Sequence, residues 1–126
     1  MPAVFVAIAA INGFLAVALG AFAAHGLRAR LPEDLLAVFQ TGVQYHMYHA
    51  LALFGVGLLC MQYGESTLLR ASGWAFVVGI VIFSGSLYIL SLSGIRWLGA
   101  ITPIGGVAFL TGWLLLAAAM LMGRSG

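Results

Sequence analysis

The chain has 126 residues, 63% of them from the hydrophobic set and only 6% charged, with no lysine and a formal net charge of +2. A soluble domain carries about a quarter of its residues as charged side chains, so the composition excludes an ordinary soluble fold. Five scattered arginines do not make the footprint of a nucleic-acid-binding protein, and the lone cysteine, Cys60, excludes an intrachain disulfide and any cysteine-based metal motif.

Charges divide the chain into four long uncharged runs, residues 1–27, 35–64, 71–95 and 97–123. Each exceeds the roughly 20 apolar residues that cross about 30 Å of hydrocarbon, where only a helix satisfies its own backbone. The expectation is an all-α membrane protein. It is a single domain, an antiparallel four-transmembrane-helix bundle with spans at about 3–24, 42–62, 70–92 and 98–122.

In the first span, Ala21-Phe22-Ala23 resembles a signal-peptide cleavage site. The run lacks a basic leader and exceeds the usual ~7–15 apolar residues, so it reads as a span. Ala9, Gly13, Ala16, Gly20 and Ala24 form a small-residue stripe at spacings of three and four. In lipid, close packing of small residues replaces burial from water as the force between helices. Asn12 is expected to hydrogen-bond a neighbouring helix.

Next, Pro32 suits a helix start, and Glu33 and Asp34 suit the positive end of its dipole. A helix from Pro32 to Gln62 would be about 46 Å long and would overshoot the membrane. Residues 32–39 are therefore expected as a short interfacial helical segment between helices 1 and 2, with a bend near Thr41-Gly42. The second span then concentrates polarity in Thr41, Gln44, Tyr45, His46, Tyr48 and His49. At helical periodicity Thr41, Tyr45, His49 and Ala52 share a stripe flanked by His46 and Tyr48. Val43, Met47, Ala50 and Phe54 lie opposite, toward lipid.

In the third span Gly73, Val77, Ser84, Tyr88 and Ser91 share a face, with Phe83 and Leu87 off it. The fourth supplies small residues at Gly99, Thr102 and Gly106. Pro103, about one turn inside it, predicts an irregular start. Trp74 and Trp97 sit near span ends, as interfacial aromatics do.

Up-down order places the end of the first helix, the start of the second, the end of the third and the start of the fourth in one membrane half. That half holds a candidate intramembrane polar cluster of His25, Tyr45, His46, His49, Ser84, Tyr88, Thr102 and Pro103, while the other half is nearly bare. Tyr45, His49, Ser84 and Tyr88 are expected to turn inward and pair near His25 and Pro103, because unpaired polar groups in hydrocarbon cost several kcal/mol each. Two uses stay open. Serine and threonine hydroxyls commonly tie membrane helices together, whereas intramembrane ionisable groups commonly mark function.

Four blocks carry a resemblance: 20–26 (Gly-Ala-Phe-Ala-Ala-His-Gly), Thr41-Gly42-Val43-Gln44-Tyr45 through His49, Phe83-Ser84-Gly85-Ser86-Leu87-Tyr88, and Thr102-Pro103-Ile104-Gly105-Gly106 through Gly112-Trp113. In this order and over nearly the whole chain they resemble the YgdD-type bacterial inner-membrane proteins, related to the mitochondrial transmembrane protein 256. The resemblance implies four helices and an inner-membrane location, and it implies no reaction.

Function therefore stays open among three classes. The first is a structural or accessory membrane protein, associated with membrane lipids and with a second copy or a larger membrane complex. The second is a small His-dependent transporter or channel, although Glu33, Asp34 and Glu65 all lie in loops. The third is a metal- or haem-binding protein using His25, His46 and His49. No catalytic constellation is present: there is no Gly-x-Ser-x-Gly elbow, no His-Glu-x-x-His and no carboxylate within a span. No cofactor is expected. His46 and His49 lie three apart on one helix and do not sandwich a haem, and no carboxylate or thiolate stands near them for a metal.

Both termini are expected on one side. Arg70 and Arg124 mark that side and Arg28, Arg30 and Arg96 the other, so arginine counting leans toward termini outside. The resemblance implies the opposite, cytoplasmic termini, because relatives often carry basic clusters in loop two and the tail.

Overall fold

The computed structural model describes residues 3–122, so Arg124 lies outside the described residues. Helix α1 (Ala3–Phe22) runs on through a π-helical turn, Ala23–Leu27. Helix α2 spans Glu33–Tyr63. Helix α3 (Thr67–Gly79), a second π turn (Ile80–Ser84) and helix α4 (Gly85–Ser93) are continuous. A 3-10 turn, Arg96–Ala100, leads into helix α5 (Thr102–Leu121). The described residues are all-helical, without a strand. Three stretches are long and apolar enough to cross a membrane: Ala3–Leu27, Thr67–Ser93 and Arg96–Leu121, of 25, 27 and 26 residues. Helix α2 is longer, at 31 residues, but more polar.

The separate interfacial segment and the bend at Thr41-Gly42 are not found. Residues 33–41 are helical, but they are the first turns of an unbroken α2. The Thr41 hydroxyl donates back to the Ala37 carbonyl at 3.0 Å, within the same unbroken helix. Gly42 is clamped by packing: a Cβ there would lie 2.9 Å from the Tyr88 ring. The start of α2 is as the sequence suggests, with Pro32 at the N-cap and Glu33 and Asp34 in the first turn. Pro103 causes no kink. It stands at the very start of α5, where no helix bond would use its missing N–H, and the irregular stretch is the 3-10 turn before it. At the other loop, Gly94 adopts φ 75° and ends α4 by donating its N–H to Leu90 at 2.7 Å, a left-handed position that favours glycine.

Packing follows one rule: a glycine on one helix seats an aromatic or branched side chain from another. Gly73 seats Phe5, Gly79 seats Phe109, Gly42 seats Tyr88, and Gly105 lies on the backbone of Phe83. A Cβ on Gly112 would fall 2.7 Å from Phe76, and one on Gly57 would fall 2.7 Å from Val6. These are the close approaches that associate helices in lipid. They differ from the stripes read from sequence. Ala9 and Ala16 are buried as the α1 stripe requires, but a Cβ on Gly13 would meet nothing within 4 Å, and the α5 seats are Gly105 and Gly112 rather than Gly99 and Gly106.

Helix α2 is central. It packs against α1, α3, the second π turn and α4, while α3 packs along α5. Two faces of α2 are therefore covered, which corrects the expected lipid face. Val43 packs on Gly20 and Ala50 is buried, whereas Phe54 is exposed as expected. The main apolar core joins Phe5, Leu53, Val56, Leu69, Phe76 and Phe109, and a smaller one gathers Ala23, Leu27 and Phe39.

Candidate functional site

The buried polar side chains fall into three separate arrangements instead of one cluster. The first centres on His46, only 4% exposed although sequence placed it on a flank. The Asn12 amide nitrogen donates to the Ile8 carbonyl at 2.9 Å, which turns its oxygen toward α2. His46 Nε2–H donates to that oxygen at 2.8 Å. His46 Nδ1 is then left as an acceptor, and the Tyr88 hydroxyl donates to it at 2.9 Å. One directional chain thus runs from Tyr88 on α4 through His46 on α2 to Asn12 and Ile8 on α1.

The second arrangement centres on His49, 5% exposed. Its Nδ1–H donates to the Tyr45 carbonyl at 2.8 Å, one helical turn back. Since a carbonyl only accepts, Nε2 carries the lone pair, and the Trp113 indole N–H donates to it at 3.1 Å. The imidazole lies flat on Phe109, with ring centroids 3.6 Å apart and planes 6° apart, and against the edge of Trp113. Tyr45 stacks beside it and against Phe83. Tyr45, expected to turn inward, is 38% exposed, and its hydroxyl has no partner among the described residues. It contributes a ring face.

The third is a set of hydroxyl ties. Ser84 donates to the Gly42 carbonyl and Ser72 to the Gly112 carbonyl, both at 2.8 Å. Ser86 and Thr102 share a hydrogen bond at 2.6 Å. Ser84 is placed by the second π turn, in which the Gly85 N–H reaches back to Ile80, five residues away. Leu87, placed off the expected face, is buried as well, three residues from Ser84 and four from Ser91 on one side of α4. His25 stands apart. It is exposed within the first π turn and bonds the Ala21 carbonyl at 3.0 Å. Pro103 lines an outward-open groove with Tyr45 and His49.

Outside the helical core, Arg96 bonds Asp34 at 2.9 Å, tying the 3-10 turn to the start of α2. That hydrogen bond, with the guanidinium charge, holds the Asp34 carboxyl below its ordinary value despite desolvation.

Sequence reading gave Asn12 its role as an interhelical partner but not its place beside His46. It placed Trp113 only in the fourth block of the resemblance, without its partner His49, and did not single out Phe109. Trp113 carried a usable signal: a tryptophan far inside a span, away from the interfaces, needs an acceptor for its N–H.

Comparison with known proteins bears on this arrangement. The family model "Protein of unknown function (DUF423)" matches residues 19–106, most of the chain and nearly all the candidate residues. The chain belongs to the DUF423 family. DUF423 relatives carry the name UPF0382. "UPF0382 membrane protein YwdK" of Bacillus subtilis is 53% identical over 116 residues, covering 92% of this chain and 94% of its own length. "UPF0382 inner membrane protein YgdD" of Escherichia coli is 44% identical over 119 residues, covering 94% and 90%. A "UPF0382 membrane protein" of Haemophilus influenzae is 42% identical over 113 residues, covering 90% of each chain. No solved structure matches this DUF423 chain. With these relatives and three apolar helices of membrane-crossing length, the chain is a helical membrane protein.

Proposed function

We propose that the chain is a multi-pass protein of the bacterial inner membrane with an accessory, structural role. Under this reading α1, α2, the α3–α4 stretch and α5 form one antiparallel four-helix membrane domain with both termini cytoplasmic. Its partners are membrane lipids and a second copy or a larger membrane complex. Two contacts support antiparallel packing: Gly57 meets Val6 near the start of α1, and Gly20 near its end meets Val43. Helix α2 serves as the fourth span because its buried polar side chains bond to neighbouring helices instead of facing lipid.

One observation carries the accessory role. Among the described residues, no buried side-chain nitrogen or oxygen lacks a hydrogen-bond partner. His46 and His49 each have both ring nitrogens engaged. A conduit needs groups free to exchange partners with water or an ion; here they are committed to holding helices together. The same commitment weighs against His46 and His49 as metal or haem ligands, since the coordinating nitrogen of each would surrender the hydrogen bond it now accepts. A second reading, a small His-dependent proton transporter, draws on the directional Tyr88–His46–Asn12 chain. Proteoliposomes carrying a trapped pH dye decide between them. Under an imposed potential, the expected proton flux equals that of empty vesicles. Flux above that level, lost in His46→Ala, replaces the accessory role with the transporter.

A further inference from the structure

The groove formed by α2, α5 and Phe83 is a concave feature whose lining combines aromatic rings with an unengaged polar group. It encloses about 420 Å³. Its trough exists for two reasons: Gly106 has no side chain to fill it, and Phe109 is turned inward onto His49. From Pro103 to Trp113 it runs about 15 Å along α5, half of the roughly 30 Å hydrocarbon thickness. It therefore reaches from one membrane face to the middle.

The chemistry of the lining narrows the occupant. Water would need 2–4 polar partners. His49 and Trp113 are bonded to each other, so the Tyr45 hydroxyl is the polar group left to offer. The occupant is apolar with an acceptor. Five of the nine lining residues are rings, Tyr45, His49, Phe83, Phe109 and Trp113, which favours a flat ring over a saturated chain. A quinone carries its carbonyls on a ring that dissolves in hydrocarbon.

We propose that this groove binds the ring of a membrane-soluble quinone, with a ring carbonyl accepting a hydrogen bond from Tyr45. The proposal rests on reading α2 and α5 as membrane spans. Trp113 is the built-in reporter. With Trp74→Phe and Trp97→Phe it is the remaining tryptophan of three. The protein is placed in phosphatidylcholine nanodiscs and titrated with decylubiquinone. The expected result is saturable quenching of Trp113 emission. Tyr45→Phe, which removes a hydroxyl without a protein partner, should weaken binding roughly fivefold. Gly106→Leu, whose Cβ would meet only Phe83, at 4.0 Å, should abolish saturation while the variant still enters nanodiscs.

Quenching that rises linearly, or that saturates alike in all three proteins, overturns the proposal. So does quenching by dibrominated phosphatidylcholine that the quinone does not displace, which assigns the groove to a phospholipid chain. A cross-link between copies through a cysteine at Leu110, undiminished by quinone, assigns it to a second copy. Failure to enter nanodiscs at all would instead overturn the membrane-spanning reading beneath it.

Discussion

At the scale of single residues, His46 and His49 are three positions apart yet do different work. His46 joins three helices through Asn12 and Tyr88, whereas His49 is sealed between a carbonyl, an indole and a stacked phenyl ring. Neither role follows from histidine chemistry; each follows from what the neighbouring helix presents. The His46–Asn12 bond has a measurable consequence. A double-mutant cycle with Asn12→Ala and His46→Ala, read by reversible unfolding in micelles, should give a favourable coupling of about 0.6 and at most ~1.7 kcal/mol. Zero coupling would mean that the two side chains do not meet in the folded protein.

At the scale of helices, the glycine seats decide which surfaces approach. Gly105 rests on the Phe83 backbone, which has no rotamer by which to yield. Gly105→Ala should therefore cost about 1–3 kcal/mol by overpacking. Gly13 faces open space, so Gly13→Ala should be neutral or stabilise by up to ~1 kcal/mol through helix propensity. The pair of variants, compared in one unfolding assay, tests the packing directly; equal effects would contradict it. The loop between α4 and α5 depends on a different force. Because Asp34 has a carboxyl pKa lowered from 3.8, the Arg96 tie is fully present above that value and is lost as pH falls through the lowered folded value. Relative to the intrinsic exchange rate at each pH, protection of the amides in residues 94–101 should fall on acidification in the native chain. In Asp34→Asn that protection should already be low and should not change with pH; a pH response there would show that another group controls the loop.

At the scale of the whole molecule, the central position of α2 organises everything else. It is the most polar of the long helices and the one with the most covered faces, so the hydrogen bonds that tie the bundle converge on it. The proposed orientation is open to a reporter test. A C-terminal fluorescent fusion should glow in the cytoplasm while an alkaline phosphatase fusion at the same point stays inactive. The reverse pattern would turn the molecule over, as arginine counting alone suggests.

Hydropathy and the spacing of charges were enough to establish a helical membrane protein, because the demand that lipid places on the backbone is written in composition. The start of α2 was also legible, since Pro32, Glu33 and Asp34 act locally. The two π turns were not, because a wider turn is chosen by what packs on both sides of it, here Gly42 and Gly105 around Ile80–Ser84. That turn carries a bond from Gly85 back to Ile80, five residues away, which a uniform helical period does not contain. The same holds for Trp113 beside His49 and Asn12 beside His46, 64 and 34 positions apart in the chain. The sequence by itself determined which groups needed partners in hydrocarbon. Only the packing of the helices decided who those partners are, because side chains distant along the chain meet at the depth and rotation that the glycine seats permit.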